Sequence, residues 1–144
     1  MTRRAQRCAP SKGRRSALPE VPVVLAVDDE EPVLALISDA LTEGGFEVVE
    51  ARSGEEATTE LKCALMTYSA LVTDINLKGE ISGWEVAKQA REINPNVAVV
   101  YASGGTTDEW ASQGVPNSIF LEKPFAPAQV VTAVSQLLNT GAPT

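Results

Sequence analysis

The chain has 144 residues, 44% of them apolar and 22% charged, with a formal net charge of −7, which is enough for one globular domain with its own core and too little for two ordinary ones. The absence of histidine excludes His-dependent triads, the usual zinc sites and phosphohistidine chemistry on this chain. Two cysteines without CxxC spacing, Cys8 and Cys63, argue against a disulfide framework or thiolate zinc site and for the reducing cytoplasm, and the short apolar runs give neither a secretory leader nor a membrane span.

Charge divides the chain unevenly. Arg3, Arg4, Arg7, Lys12, Arg14 and Arg15 precede the first acid, so the arm carries +6 and the remainder −13. An arm so poor in apolar residues cannot offset its ordering entropy, and residues 1–21 are expected to be a disordered basic arm. The folded domain is expected over 22–139, with a frayed tail at 140–144. An acidic body argues against a nucleic-acid-binding domain.

Val23–Val27 is an apolar run without alternation, the mark of a strand buried on both faces. Pro32 suits the first turn of a helix carrying Val33, Leu34, Leu36, Ile37, Ala40 and Leu41, closed at Gly44-Gly45. Phe46–Ala51 reads as a second strand. Ser53 and Glu56 form a capping-box pattern ahead of Ala57, Leu61, Ala64 and Leu65. Ala70–Thr73 is the third strand, followed by the polar loop "DINLKGEISG" and a helix from about Trp84 to Ile93 that "NPN" stops. Val97–Ala102 is the fourth strand, followed by a weak helix around Trp110. Ser118–Leu121 is the fifth, and a last helix carries Val130, Val131, Val134, Leu137 and Leu138. Five strands alternating with five helices predict an α/β fold, a doubly wound five-stranded parallel sheet, for which 2-1-3-4-5 is a common strand order.

That order places the carboxyl ends of strands 1, 3, 4 and 5 side by side, where open α/β sheets bind ligands. The residues just past those ends are Asp28-Asp29, Asp74, Ser103 and Lys123. Taken singly, each has a plain structural use. Asp29 or Glu31 suits a helix start, Asp74 and Ser103 suit turns, and Lys123 suits the surface. Taken together they repel: two carboxylates about 4 Å apart cost about 4 kcal/mol at an effective dielectric near 20. Either a pKa rises or a cation sits among them. Oxygen donors without His or Cys suit a hard ion, Mg²⁺ foremost. A metal, an ammonium, a hydroxyl and a carboxylate nucleophile make up the parts of phosphoryl transfer, with Asp74, single and central, as the nucleophile.

Through "VLAVDDE", "LVTDINL", "VVYASG" and "FLEKPF", in that order at strand ends, the chain resembles the receiver domain of two-component response regulators over roughly Val21 to Asn139. The resemblance implies the flavodoxin/CheY-like (βα)5 fold and phosphorylation of Asp74 by a partner histidine kinase or phosphotransfer protein. It implies Mg²⁺ held by Asp28 or Asp29 (more directly Asp29), Asp74 and the backbone carbonyl of Asn76. Ser103 would hydrogen-bond the phosphoryl group and Lys123 would pair with it. The bond between Lys123 and Pro124 would be cis, and Phe120 would be the aromatic switch that follows Ser103. A face built from the fourth helix, fifth strand and fifth helix would meet a downstream protein target, with Trp110 assigned to it and Trp84 to packing.

The chain departs from the family pattern in a loop from Asp74 to Gly83 one residue longer than usual, with Lys78 in place of a proline. Gly105 has no side chain with which to orient a hydrolytic water. With the sequence stopping after the fifth helix, no DNA-binding or enzymatic output domain is expected. The chain is expected to be no enzyme beyond self-phosphorylation and autodephosphorylation at Asp74. Two other readings stand beside this one. The first is a pseudo-receiver that binds partners without phosphorylation. The second is a small Mg²⁺-dependent phosphohydrolase, which would need a general acid where Asn76 stands.

Overall fold

The computed structural model describes residues 3–4, 21–63, 67–104 and 110–140. Its strands are β1 (Arg3–Arg4), β2 (Val23–Val27), β3 (Glu47–Ala51), β4 (Ala70–Thr73), β5 (Ala98–Ser103) and β6 (Ser118–Glu122). Its helices are α1 (Glu31–Glu43), α2 (Gly54–Lys62), α3 (Gly83–Ile93), α4 (Trp110–Gln113) and α5 (Pro127–Thr140). The sheet runs β1-β3-β2-β4-β5-β6, every pair parallel. Counted from Val23, this is the expected order 2-1-3-4-5.

Burial explains why β2, β4 and β5 lack alternation: every residue of each is buried. Successive side chains go to opposite faces. Val23, Leu25 and Val27 join Ala57, Leu61, Val86, Ala87 and Ala90 of α2 and α3. Val24 and Ala26 join Leu34, Ile37, Leu41, Val130 and Val134 of α1 and α5. Two cores thus back one sheet, and its carboxyl edge is left for polar groups.

Local signals act much as expected. α1 ends in a Schellman arrangement: Phe46 N–H reaches Leu41 O at 3.0 Å and Gly45 N–H reaches Thr42 O at 3.1 Å, with Gly45 at φ 98, a conformation that favours glycine. Ser53 caps α2 by accepting Glu56 N–H at 3.0 Å, while Glu56 accepts the N–H of Arg52 rather than that of Ser53. The α1 start places Glu31 and Pro32 in the first turn as expected, and its N-cap is Glu30, which makes no side-chain cap bond. Asp29 is not the cap, and Asp28 accepts the Glu30 N–H at 2.9 Å.

Other boundaries shift. α2 closes at Lys62, so Ala64 and Leu65, expected on its stripe, fall outside the described residues. The expected fourth helix is a single turn, α4, secured by Trp110: its indole N–H donates to Ser118 Oγ at 2.9 Å, and a Cβ at Gly114 would lie 2.3 Å from its ring. Cys63 is buried and is the C-cap of α2, while Cys8 lies outside the described residues. Of the basic arm, the exposed Val21 and, far before it, Arg3–Arg4 lie among the described residues. At Arg3–Arg4 the chain forms a two-residue strand beside Val49 and Glu50, since backbone pairing at an open sheet edge needs no apolar side chain. The rest of the arm, Gly105 and residues 141–144 of the expected tail lie outside the described residues.

Candidate functional site

Strand register decides which side chains meet. Val27 is level with Thr73, and Thr73 with Tyr101, so Asp28, Asp74 and Ala102 follow at one height and Ser103 one residue further. Backbone bonds carry this alignment past the strand ends: Asp74 N–H reaches Val27 O at 2.9 Å, and Lys123 N–H reaches Ser103 O at 3.0 Å. The strands end in acids because the core ends there.

Asp28, Asp29 and Asp74 each offer one carboxylate oxygen within 4.8 Å of the others. Asp28 is 0% exposed and Asp74 6%, while Asp29 is half-buried. The Lys123 ammonium donates to Asp28 Oδ2 at 3.0 Å and Asp74 Oδ2 at 3.1 Å. It also lies 3.7 Å from the exposed carboxylate of Glu30. Asn76 N–H donates to Asp74 Oδ1 at 3.3 Å. Ser103 is buried at the end of β5. The bond between Lys123 and Pro124 is cis. Phe120 packs against the α2/α3-side core, its ring centroid 6.1 Å from that of Trp110. Trp84 is buried with its ring 4.8 Å from Tyr101.

The electrostatics are those of crowded acids around one ammonium. Burial pushes the Asp28 carboxyl above its ordinary value, against the hydrogen bonds from Glu30 N–H and Lys123, and the nearby Asp74 charge adds to the rise. Burial works against the Lys123 ammonium, but its hydrogen bond to Asp28 and the charges of Asp74 and Asp28 outweigh it, so the net shift is upward. Both shifts have one source, carboxylates held out of water with a single cation. The donors are hard oxygens, so the residues fit a Mg²⁺ ion.

Three contributors escape a reading of the sequence alone. Glu30 is in the acidic run, but only the fold brings it toward Lys123. Gly83 lets α3 approach the acceptor strand: a Cβ there would lie 2.0 Å from Asp74 O, and its N–H donates to Ile75 O at 2.9 Å. Gly54 allows the same approach between α2 and the loop, since its Cβ would lie 2.4 Å from Ile81 O. Glycine in a loop or at a helix start is the available signal, and it does not say what comes close.

The profile of the response regulator receiver domain matches residues 24–135. The chemotaxis protein CheY of Thermotoga maritima is 28% identical over 120 residues, covering 79% of this chain and 95% of that protein. The transcriptional regulatory protein PrrA of Mycobacterium leprae is 36% identical over 121 residues, covering 82% of this chain and 50% of that one. The chain thus spans nearly all of one relative and half of the other. Among solved structures, a response regulator receiver protein from Sinorhizobium medicae superposes with a TM-score of 0.82 at 47% identity, covering 85% of this chain and 98% of that one. Sequence, fold and strand-end acids agree: the chain belongs to the response regulator receiver domain family.

Proposed function

We propose that this chain is the phosphoacceptor of a two-component system, with Asp74 taking a phosphoryl group from a histidine kinase or phosphotransfer protein. The observation that carries this reading is the convergence of Asp28, Asp29 and Asp74 within 4.8 Å, with one lysine ammonium bonded to two of them. The sequence has no histidine, so the donor imidazole lies outside these residues. An Asp74 carboxylate oxygen attacks phosphorus, the bond from phosphorus to the donor nitrogen breaks, and the imidazole keeps that electron pair and takes a proton.

Asp28, Asp29, Asp74 and the Asn76 carbonyl would hold Mg²⁺, which when bound offsets charge on the transferring oxygens. Lys123 leaves its Asp74 contact to pair with the phosphoryl oxygens, and Ser103 supplies a hydroxyl donor. Added charge at Asp74 draws Ser103 inward, and Phe120 follows. The face of α4, β6 and α5 then presents a changed surface to a protein target. The chemistry of the chain itself is limited to forming and hydrolysing its own aspartyl phosphate. None of the described helices is long and apolar enough to cross a membrane, which is compatible with work in the cytoplasm beside kinase domains.

Acetyl phosphate with Mg²⁺ tests the reading. Wild-type protein should gain one phosphoryl group labile to acid, base and hydroxylamine, which does not form when EDTA withholds the metal and is absent from Asp74→Asn. Label retained by that variant overturns the assignment.

A further inference from the structure

The loop from Asp74 to Gly83 carries an entropic cost whenever it must be ordered. The structure holds it against α2 at two places. Glu55, in the first turn of α2, accepts the backbone N–H of Glu80 on Oε2 at 3.0 Å. Gly79 sits beneath the same carboxylate at φ 96, where a Cβ would lie 2.7 Å from Glu55 Oε1. One residue earlier in α2, Gly54 lets the helix backbone meet Ile81, whose carbonyl would be 2.4 Å from a Cβ there. Beyond these, Gly83 N–H closes back on Ile75 O at 2.9 Å. The stretch tied to α2 therefore begins at Gly79, three residues past Asn76.

We infer that Glu55 is a positioning residue for the phosphoacceptor site: its carboxylate clamps the loop after Asp74 and so sets the affinity of the site for a divalent cation. This rests on the reading of Asp28, Asp29, Asp74 and Asn76 as the cation site. Glu55 is exposed and is no part of the acidic cluster, so its effect comes through the backbone it holds. Without the clamp, residues between Asn76 and Ile81 gain freedom that cation binding must remove.

The test uses full-length wild type, Glu55→Ala and Glu55→Gln, the last keeping an oxygen acceptor. In metal-free protein, amide exchange at Glu80 should quicken in Glu55→Ala and stay near wild type in Glu55→Gln, with unchanged thermal midpoints showing intact folds. Titration with MgCl₂, followed by amide shifts around Asp74, should show about fivefold weaker binding in Glu55→Ala and recovery in Glu55→Gln. Unchanged Glu80 exchange overturns the clamp. Faster exchange with unchanged Mg²⁺ affinity overturns its coupling to the site. If wild type itself binds no Mg²⁺, the cation site falls first, and the coupling falls with it.

Discussion

Lys123 and Asp28 face each other across the carboxyl edge of the sheet at 3.0 Å, a lysine 17% exposed against an aspartate with no exposure at all. The pair comes from β2 and β6, which are not neighbours in the sheet, and the same ammonium reaches Asp74 of the intervening β4 end at 3.1 Å. One positive charge thus neutralises part of a buried acidic cluster and ties three strand ends together. Breaking a buried pair costs more than the pair contributes, because it leaves a charge stranded.

Lys123→Met should therefore lower the stability of the metal-free protein by about 3 kcal/mol. The lost cation should also raise affinity for Mg²⁺, by roughly tenfold for one unit charge removed from the vicinity of the ligands. Urea denaturation with EDTA and with MgCl₂ checks both: the variant should regain more stability from the metal than wild type does. Equal gains in the two proteins contradict competition between Lys123 and a cation for the same carboxylates.

Gly83→Ala separates sterics from helix propensity. Gly83 opens α3, where alanine on propensity alone would stabilise by up to about 1 kcal/mol. Its Cβ would meet Asp74 O at 2.0 Å and Ile75 Cα at 2.8 Å, backbone atoms that move only by displacing the acceptor residue. The substitution should instead destabilise by about 2–3 kcal/mol and slow phosphorylation from acetyl phosphate, read by denaturant midpoint and by labelling rate. A more stable variant would show that the α3 start is not pressed against Asp74.

Much of this was legible because strands buried on both faces end where the apolar run ends, so Asp28, Asp74 and Lys123 could be placed on one edge from the sequence. What escaped depends on contacts between distant segments. Glu55 reads as a first-turn helical acid, and nothing local says that it reaches residues 79 and 80. Glu60 reads as a solvated position between Ala57 and Leu61, yet it is buried, because Tyr68 returns after α2 and donates its hydroxyl to Oε1 at 2.6 Å. The weak helix expected around Trp110 is the single turn α4, but nothing local says that its indole bonds Ser118.

Glu60 gives the fold a pH signature. Burial raises its carboxyl above 4.5, outweighing the Tyr68 hydrogen bond that lowers it, and nearby Glu56 raises it further. Its Oε2 is buried with no hydrogen-bond partner among the described residues. The folded state therefore holds the proton more tightly than the unfolded state. Its contribution is most favourable below the unfolded value and is lost as pH rises through the raised folded value. Glu60→Gln should remove that slope and stabilise the protein at pH 7 by roughly 1 kcal/mol, the lower end of the cost of an unpaired buried polar group. Chemical denaturation between pH 4.5 and 8, comparing variant with wild type, reads the difference. A difference constant across that range would mean that Glu60 is ionised throughout.

Trp110 offers an optical report on the α4 face. Its indole N–H bonds Ser118 Oγ at 2.9 Å, and Ser118 Oγ in turn donates to Val115 O at 2.7 Å, so the ring is fixed at the start of β6 while it touches Phe120. If Phe120 turns when the site is charged, the indole loses its ring neighbour but not its hydrogen bond. In a Trp84→Phe background, beryllofluoride with Mg²⁺ should change Trp110 emission by tens of per cent in intensity, and Asp74→Asn should abolish the response. Ser118→Ala should instead shift the resting emission by freeing the indole N–H, without abolishing the response to beryllofluoride. An emission unaffected by beryllofluoride in protein that binds it would separate Phe120 from the charged site and leave α4 outside the switch.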